Sequence, residues 1–470
     1  MIKPISILMA GATLLAGCNL APAYVRPEGV VLTALPQGGV YPEAASNPVV
    51  VADLGWSDFF TDARLRSVIA QGLDNNRDLR VAAANVLAAR AQYRVTRADR
   101  LPTASLSGSA TYTDNAAQVA AAGAAAGSDV ESYSADLGIS AFEIDLFGRV
   151  RNLSEAALQQ YFATEEAQRA TRISLIAEIA TAWLTLAADQ DQLRLSRQTL
   201  ASFEETRNLT QAQFRIGTVS ELEARQADVE YQGARNDIAV LETSVAQDRN
   251  ALELLVGAPV SADLLPQGLN DAGATLADLP TNLQSDVLLV RPDVLQAERQ
   301  LLAENANIGA ARAALFPSIS LTASVGSASS ALSDLFADGS YAYTVTPGIS
   351  LPIFDAGRRR GNVRLAEANA QAAVATYEKA IQTAFKEVAD ALAQRGTINE
   401  QIAGQTARAE SARAAANISD ARYRVGVSSF LVALDAQRTA YSAEQQLVST
   451  RLSRETNLVE LYRALGGGLR

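Results

Sequence analysis

Histidine is absent from the 470-residue chain, cysteine occurs once and methionine twice. The missing histidine excludes Ser-His-Asp and Cys-His catalysis, histidine-ligated metals and histidine pH switching. A single cysteine allows neither an intrachain disulfide framework nor a Cys-cluster zinc site. Lysine is confined to Lys3, Lys379 and Lys386, so the basic charge is almost wholly arginine, and acids outnumber it to give a net charge of -11. That sign argues against a nucleic-acid partner, because phosphate binding needs a basic surface. No P-loop lysine, no dinucleotide-binding glycine fingerprint and no nucleophile–base set is present. Paired acids such as Glu165 and Glu166 read as helix decoration. The expectation is a protein that is no enzyme and holds neither metal nor cofactor.

What is there begins with a leader. In residues 1–17, Lys3 supplies the positive end, Ile5 to Leu15 a short apolar stretch, and small residues follow. The apolar stretch falls short of the roughly 20 residues of a spanning helix and reads as a secretory signal. It ends in Leu15-Ala16-Gly17-Cys18, which resembles the bacterial lipoprotein box. Cys18 would then become the new N-terminus and carry covalent acyl chains, several of which anchor stably where one would not. The alternative is a free thiol. Asn19 is not the Asp typical of inner-membrane retention, so the resemblance favours the outer membrane. No later stretch of 18 apolar residues is read in the sequence, and no helix is expected to cross the inner membrane.

The rest of the chain is written twice. Asn76-Arg77-Asp78-Leu79 running to Leu101-Pro102 parallels Arg291-Pro292-Asp293-Val294 running to Phe316-Pro317, at an offset of 215 residues. From Phe147-Gly148-Arg149 onward the offset is 209 without a gap, pairing Phe214 with Tyr423, Gly217 with Gly426, Ser220 with Ser429 and Gly257 with Gly466. The expected division is a lipidated segment over 18–60, a first repeat over 61–257, a Pro/Gly/Asp-rich linker over 258–285 and a second repeat over 286–470.

Each repeat reads as a helix, two alternating segments and a long helical hairpin. Val150 to Ile216 contains neither Gly nor Pro and is dominated by strong helix formers. Gly217 stops it, and Thr218-Val219-Ser220-Glu221 reads as a turn with a new N-cap. The returning helix carries a heptad series, Ala224, Tyr231, Ile238, Val245 and Leu252, beside Ala227, Ala234, Leu241 and Leu255, broken by Asp248. In the second repeat the seam is Ala433, Ala440 and Leu447, interrupted by Arg454. Both predict coiled-coil packing. Strands are expected over about 103–113, 132–147, 318–326 and 340–352, each with an apolar residue at every second position. Ala116 to Gly127 would be the first hairpin's turn.

Segments of about ten residues with a dyad period suit tilted membrane-barrel strands. Four cannot close a barrel, since about eight is the minimum, and an open edge in hydrocarbon leaves backbone groups unpaired. Copies of the chain must then share one barrel. A small soluble β-layer is the alternative the alternation alone permits.

The order of these motifs resembles the TolC-type outer-membrane efflux channels, in their lipoprotein (NodT-like) branch serving resistance–nodulation–division pumps. The carriers are the Cys18 box, Pro22-x-Tyr24-x-x-Pro27, Trp56 with Phe59-Phe60, Asn76-x-Asp78-Leu79 and Glu143-x-Asp145-Leu146-Phe147-Gly148-Arg149. Further carriers are Arg291-Pro292-Asp293, Phe316-Pro317-x-Ile319, Pro352-x-Phe354-x-x-Gly357, Tyr423-x-x-Gly426 and Leu434-Asp435-Ala436-Gln437. The resemblance implies a mainly α fold with a membrane β-barrel portion. It implies a homotrimer whose twelve-stranded β-barrel continues into a periplasmic α-helical barrel. It also implies a passive export duct for drugs or other small molecules, with a membrane-fusion adaptor, an inner-membrane pump and outer-membrane lipid as partners. A periplasmic coiled-coil lipoprotein without a pore is the competing reading.

Motif by motif, the resemblance puts the gate tyrosine at Tyr423, an aperture aspartate at Asp435 and an acid at Glu223. Val432 and Ser428 depart from relatives that carry aspartate and arginine there. Carboxylate rings at a constriction would favour cations; a solvated helix residue is the plain alternative for Asp435. The turns Gly217-Thr218-Val219-Ser220 and Gly426-Val427-Ser428-Ser429 are implied as adaptor-docking tips, while the two glycines also suit left-handed helix-end geometry.

Overall fold

The computed structural model describes residues 19–27, 35–36, 38–42, 55–113, 130–269 and 285–467. The leader, Cys18, the Ala116–Gly127 turn and residues 270–284 of the linker lie outside the described residues. Strong helix formers uninterrupted by proline give two helices of 67 residues each, α4 (Arg149–Arg215) and α7 (Arg358–Arg424). They return as α5 (Glu221–Val256) and α8 (Phe430–Ala464). Shorter helices precede them: α1 (Trp56–Phe59) ahead of the first repeat, α2 (Ala63–Asn75) and α3 (Arg77–Ala98) within it, and α6 (Pro292–Ala313) in the second. The alternating segments form β1 (Ala104–Thr113), β2 (Val130–Glu143), β3 (Ser318–Ser329) and β4 (Tyr341–Ser350).

The chain resolves into two compact units that cut across the duplication rather than following it. The first holds residues 1–27, 86–164 and 297–377; the second holds 28–85, 165–296 and 378–470.

The first unit is built on an antiparallel sheet of order β1-β2-β3-β4. Its register aligns Leu106 with Leu137, Leu137 with Val325 and Val325 with Tyr343, while Ser105, Gly138, Ser324 and Thr344 align on the other face. One face is therefore apolar and the other polar across all four strands. The apolar face is bare: Leu106 is 82% and Ile349 75% exposed. Every residue of edge strand β1 is exposed. A bulge between Ile139 and Phe142 shifts the β2–β3 register, with Ala141 at φ 50°. Thr322 Oγ1 accepts the Ala141 N–H there at 3.1 Å.

Where the sheet meets the helices, Phe147 and Phe316 stack at 4.8 Å. Asp145 caps α4 by accepting the N–H groups of Arg149 and Arg151, both at 2.7 Å. Asp355 does the same for α7 through Gly357 and Arg359. A strap of residues 19–27 lies along α6. Glu298 accepts from Tyr24 Oη at 3.0 Å and from Arg26 through both carboxylate oxygens at 2.7 Å. Asn305 Nδ2 donates to Pro22 O at 2.8 Å, and Ala21 packs against Gly309.

The second unit has its core around Trp183, Ile176, Ile179, Leu65, Ile69 and Leu184, all fully buried. Contrary to the sequence reading, α4 does contain an 18-residue window apolar enough to cross a membrane, and 56% of it is buried in this packing. Core burial accounts for that run. Asn76 and Arg291, in corresponding places of the repeats, clamp the returning helices. Asn76 Nδ2 donates to Leu255 O at 2.8 Å, and Arg291 donates to Ala464 O at 2.6 Å and to Glu387 at 2.8 Å. The left-handed Gly257 (φ 75°) follows the first clamp, where a Cβ would strike Asn75 O. Along the hairpins the seam is alanine-rich, with Ala409, Ala412, Ala416, Ala440 and Ala443 forming one buried cluster. Small side chains let these helices approach closely.

Candidate functional site

The two hairpin turns are built alike in backbone. Gly217 (φ 77°) and Gly426 (φ 74°) adopt the left-handed conformation, and their N–H groups return to Phe214 O and Tyr423 O. Gly217, Thr218 and Ser220 are exposed and Val219 half-buried; Gly426, Val427 and Ser429 are exposed and Ser428 half-buried. Ile216, Val425 and Val427 stand bare beside them.

Side chains separate the two turns. In the first, Ser220 caps α5 and Glu223 closes a capping box, accepting the Ser220 N–H at 2.8 Å while Ser220 Oγ accepts the Glu223 N–H at 3.3 Å. The carboxylate of Glu223 thus holds its own helix end. In the second, Ser429 makes no side-chain cap bond, and Val432, which matches Glu223, has no carboxylate to accept the Ser429 N–H. Arg422 Nε instead donates to Ser428 Oγ at 2.9 Å.

Tyr423 is buried, at 8% exposure, in a cluster with Ala227, Phe430, Ala433 and Leu434. Its ring meets Phe430 edge-on at 5.6 Å, and its hydroxyl donates to Gln213 Oε1 of α4 at 2.7 Å. Burial pushes the phenol above its ordinary pKa, so it acts as a donor throughout the physiological range. Phe214, its counterpart, is 43% exposed. Next to Tyr423, Arg424 bonds Glu205 at 2.9 Å and Asp420 at 2.7 Å. The two carboxylates raise the guanidinium pKa further, and Arg424 holds Glu205 below the usual carboxylate range. The counterpart Arg215 makes no ion pair among the described residues.

Asp435 is exposed and lines a cavity of about 450 Å³ with Glu230, Asp237, Arg408, Arg438 and Tyr441. Tyr441 Oη donates to Asp237 at 3.1 Å and sits 2.7 Å from Ser196 Oγ, and Arg438 reaches Glu230 at 3.5 Å. Neither Tyr423 nor Glu223 lines this cavity, so the three residues expected together occupy three separate settings. Sequence reasoning missed Gln213, Glu205 and Asp237. Each lies about 200 residues from its partner, and no local motif links the members of such pairs.

Comparison with known proteins follows the same outline. The outer membrane efflux protein family model matches residues 68–258 and 283–467. The chain is 45% identical over 468 residues to the toluene efflux pump outer membrane protein TtgC of Pseudomonas putida, covering 100% of this chain and 96% of that one. It is 41% identical over 461 residues to the cation efflux system protein CusC of Escherichia coli O157:H7, covering 97% of each. A crystal structure of a membrane protein from Pseudomonas aeruginosa superposes with a TM-score of 0.87 at 40% identity, over 96% of this chain and 100% of that chain. Bare strands with one apolar face, paired helical hairpins and a match along both repeats converge on one assignment: the chain belongs to the outer membrane efflux protein family, the channel components of efflux pumps.

Proposed function

We propose that three copies of this chain close a shared β-barrel in the outer membrane and form a passive, tip-gated export duct. The observation that carries this reading is the four-stranded sheet with its open edges at β1 and β4 and one bare apolar face. In hydrocarbon each unpaired edge group costs several kcal/mol, and edge-to-edge pairing of identical copies removes that cost. The duct performs no bond chemistry and needs no cofactor. Its acyl chains sit on Cys18.

Tyr423 holds the second hairpin against α4, and Asp435 and Glu223 supply negative charge toward the periplasmic aperture, favouring cations. The tips Gly217–Ser220 and Gly426–Ser429 present exposed Ile216, Val425 and Val427 to a periplasmic adaptor, which links the duct to an inner-membrane pump of the resistance–nodulation–division type. Of the two relatives named above, one serves toluene and the other cations. This chain has no His, and both its methionines, Met1 and Met9, precede Cys18, so it lacks the ligands of a soft-metal relay. Cargo is then chosen by the pump, among drugs, solvents and other small molecules.

Recording in planar bilayers tests the reading. Purified protein that runs as a heat-resistant trimer should give stepwise, cation-preferring conductance. A monomer that never conducts would overturn it.

A further inference from the structure

Helices α3 and α6 are counterparts of 22 residues each, related residue by residue by the 215 offset. Their shared design makes one difference informative. On α6, the face bearing Glu298, Asn305 and Gly309 is covered by the strap that leads back to Cys18. On α3 the corresponding face bears the half-buried Ala83 and the exposed Arg90 and Arg94, with Arg97, also exposed, one turn on. Positions i, i+4 and i+7 share one side of a helix, so Arg90, Arg94 and Arg97 form a single basic stripe.

Arg100 extends that stripe to the start of β1. Arg94, Arg97, Ala98, Arg100 and Leu101 line a groove of about 460 Å³. All four arginines are exposed, and none has an ion pair among the described residues. Asp99 is the sole acid between Val86 and Thr103, in a chain whose net charge is -11. The counterparts of Arg94, Arg97 and Arg100 are Gly309, Arg312 and Leu315, and Arg312 is neutralised by Glu367 at 2.9 Å. The basic groove therefore belongs to the first repeat alone.

Its position limits what can fill it. The groove lies where the helix gives way to strands with a bare apolar face, and exposed Leu101 adds an apolar floor. By the repeat, it occupies the side that on α6 carries the strap toward the acylated terminus.

We propose that the groove of Arg94, Arg97 and Arg100, with Arg90 one turn along the same helix face, binds the headgroup of an anionic phospholipid from the periplasmic leaflet. Guanidinium groups fork onto phosphate oxygens, and arginines beside an anionic bilayer surface strengthen association by on the order of fivefold each. This inference rests on the outer-membrane reading, since lipid must surround the sheet.

The test uses the full-length trimer purified in mild detergent and titrated with phosphatidylglycerol or phosphatidylethanolamine, retained lipid being counted by native mass spectrometry. Wild type should retain phosphatidylglycerol preferentially. Arg94→Gln/Arg97→Gln/Arg100→Gln should lower that retention by at least about tenfold and leave phosphatidylethanolamine binding and bilayer conductance unchanged. Arg312→Gln, the counterpart position, should leave the preference intact. Equal retention by the triple variant, or a change in its ion selectivity that would put these arginines in the lumen, overturns the proposal. A wild-type chain that neither trimerises nor conducts would instead overturn the channel reading itself.

Discussion

The two hairpin turns share a backbone and differ in what holds them in place. The first is secured within itself: Ser220 and Glu223 cap α5, while Phe214 stands in solvent. The second is secured to its neighbour: Tyr423 reaches Gln213, Arg424 reaches Glu205, and no side chain caps α8. A duplicated scaffold has thus kept one rigid turn and one turn whose fastening lies on another helix. Freeing the second breaks side-chain contacts between helices of one chain, whereas freeing the first would also undo a helix cap.

The sharpest way to break this contrast is to truncate the two counterpart aromatics. Tyr423→Ala should remove about 3 kcal/mol of local packing and raise single-channel conductance several-fold. Phe214→Ala should change stability by no more than about 0.5 kcal/mol and leave conductance alone. Equal effects would erase the distinction. Next in size, Ser220→Ala should cost about 1 kcal/mol by loss of the cap, seen as a lower urea midpoint, while Ser429→Ala should cost far less.

The smallest effect sharpens the comparison higher on the hairpins. Asp248 of α5 faces Asp189 of α4, and burial with the neighbouring carboxylate pushes Asp248 up to about 6; burial likewise raises Asp189. The counterpart of Asp248 is Asn457, a neutral residue that donates to Ala391 O at 2.9 Å. An acid whose pKa is higher folded than unfolded destabilises the fold once ionised. The penalty is absent below the unfolded value near 4, grows as pH rises toward 6 and is complete above it. Asp248→Asn should therefore raise the thermal midpoint at pH 8 and leave it unchanged at pH 3.5. A gain of equal size at both values would remove the carboxylate pair from the account.

Much of the fold was legible because its signals are local. Dyad alternation marked β1 to β4, and the lack of Gly and Pro from Val150 to Ile216 marked α4. Fastening across helices was not legible. Asp248 stood out as a break in the heptads, but its partner Asp189 lies 59 residues earlier on another helix. The Ser220-x-x-Glu223 spacing carried a capping signal that competes with a gate role for the same carboxylate. The apolar window of α4 shows the limit of composition, since core packing and lipid ask for the same residues.

Tyr462 stacks on Phe59 at 4.1 Å inside the second unit, and Arg291 grips Ala464 O two residues later. Phe59 and Phe60 are therefore covered by an aromatic residue about 400 positions further along the chain. A chain delivered across the inner membrane N-terminus first must carry Phe59 and Phe60 uncovered until some 400 further residues have followed. Secretion and closure are consequently separate events for this polypeptide.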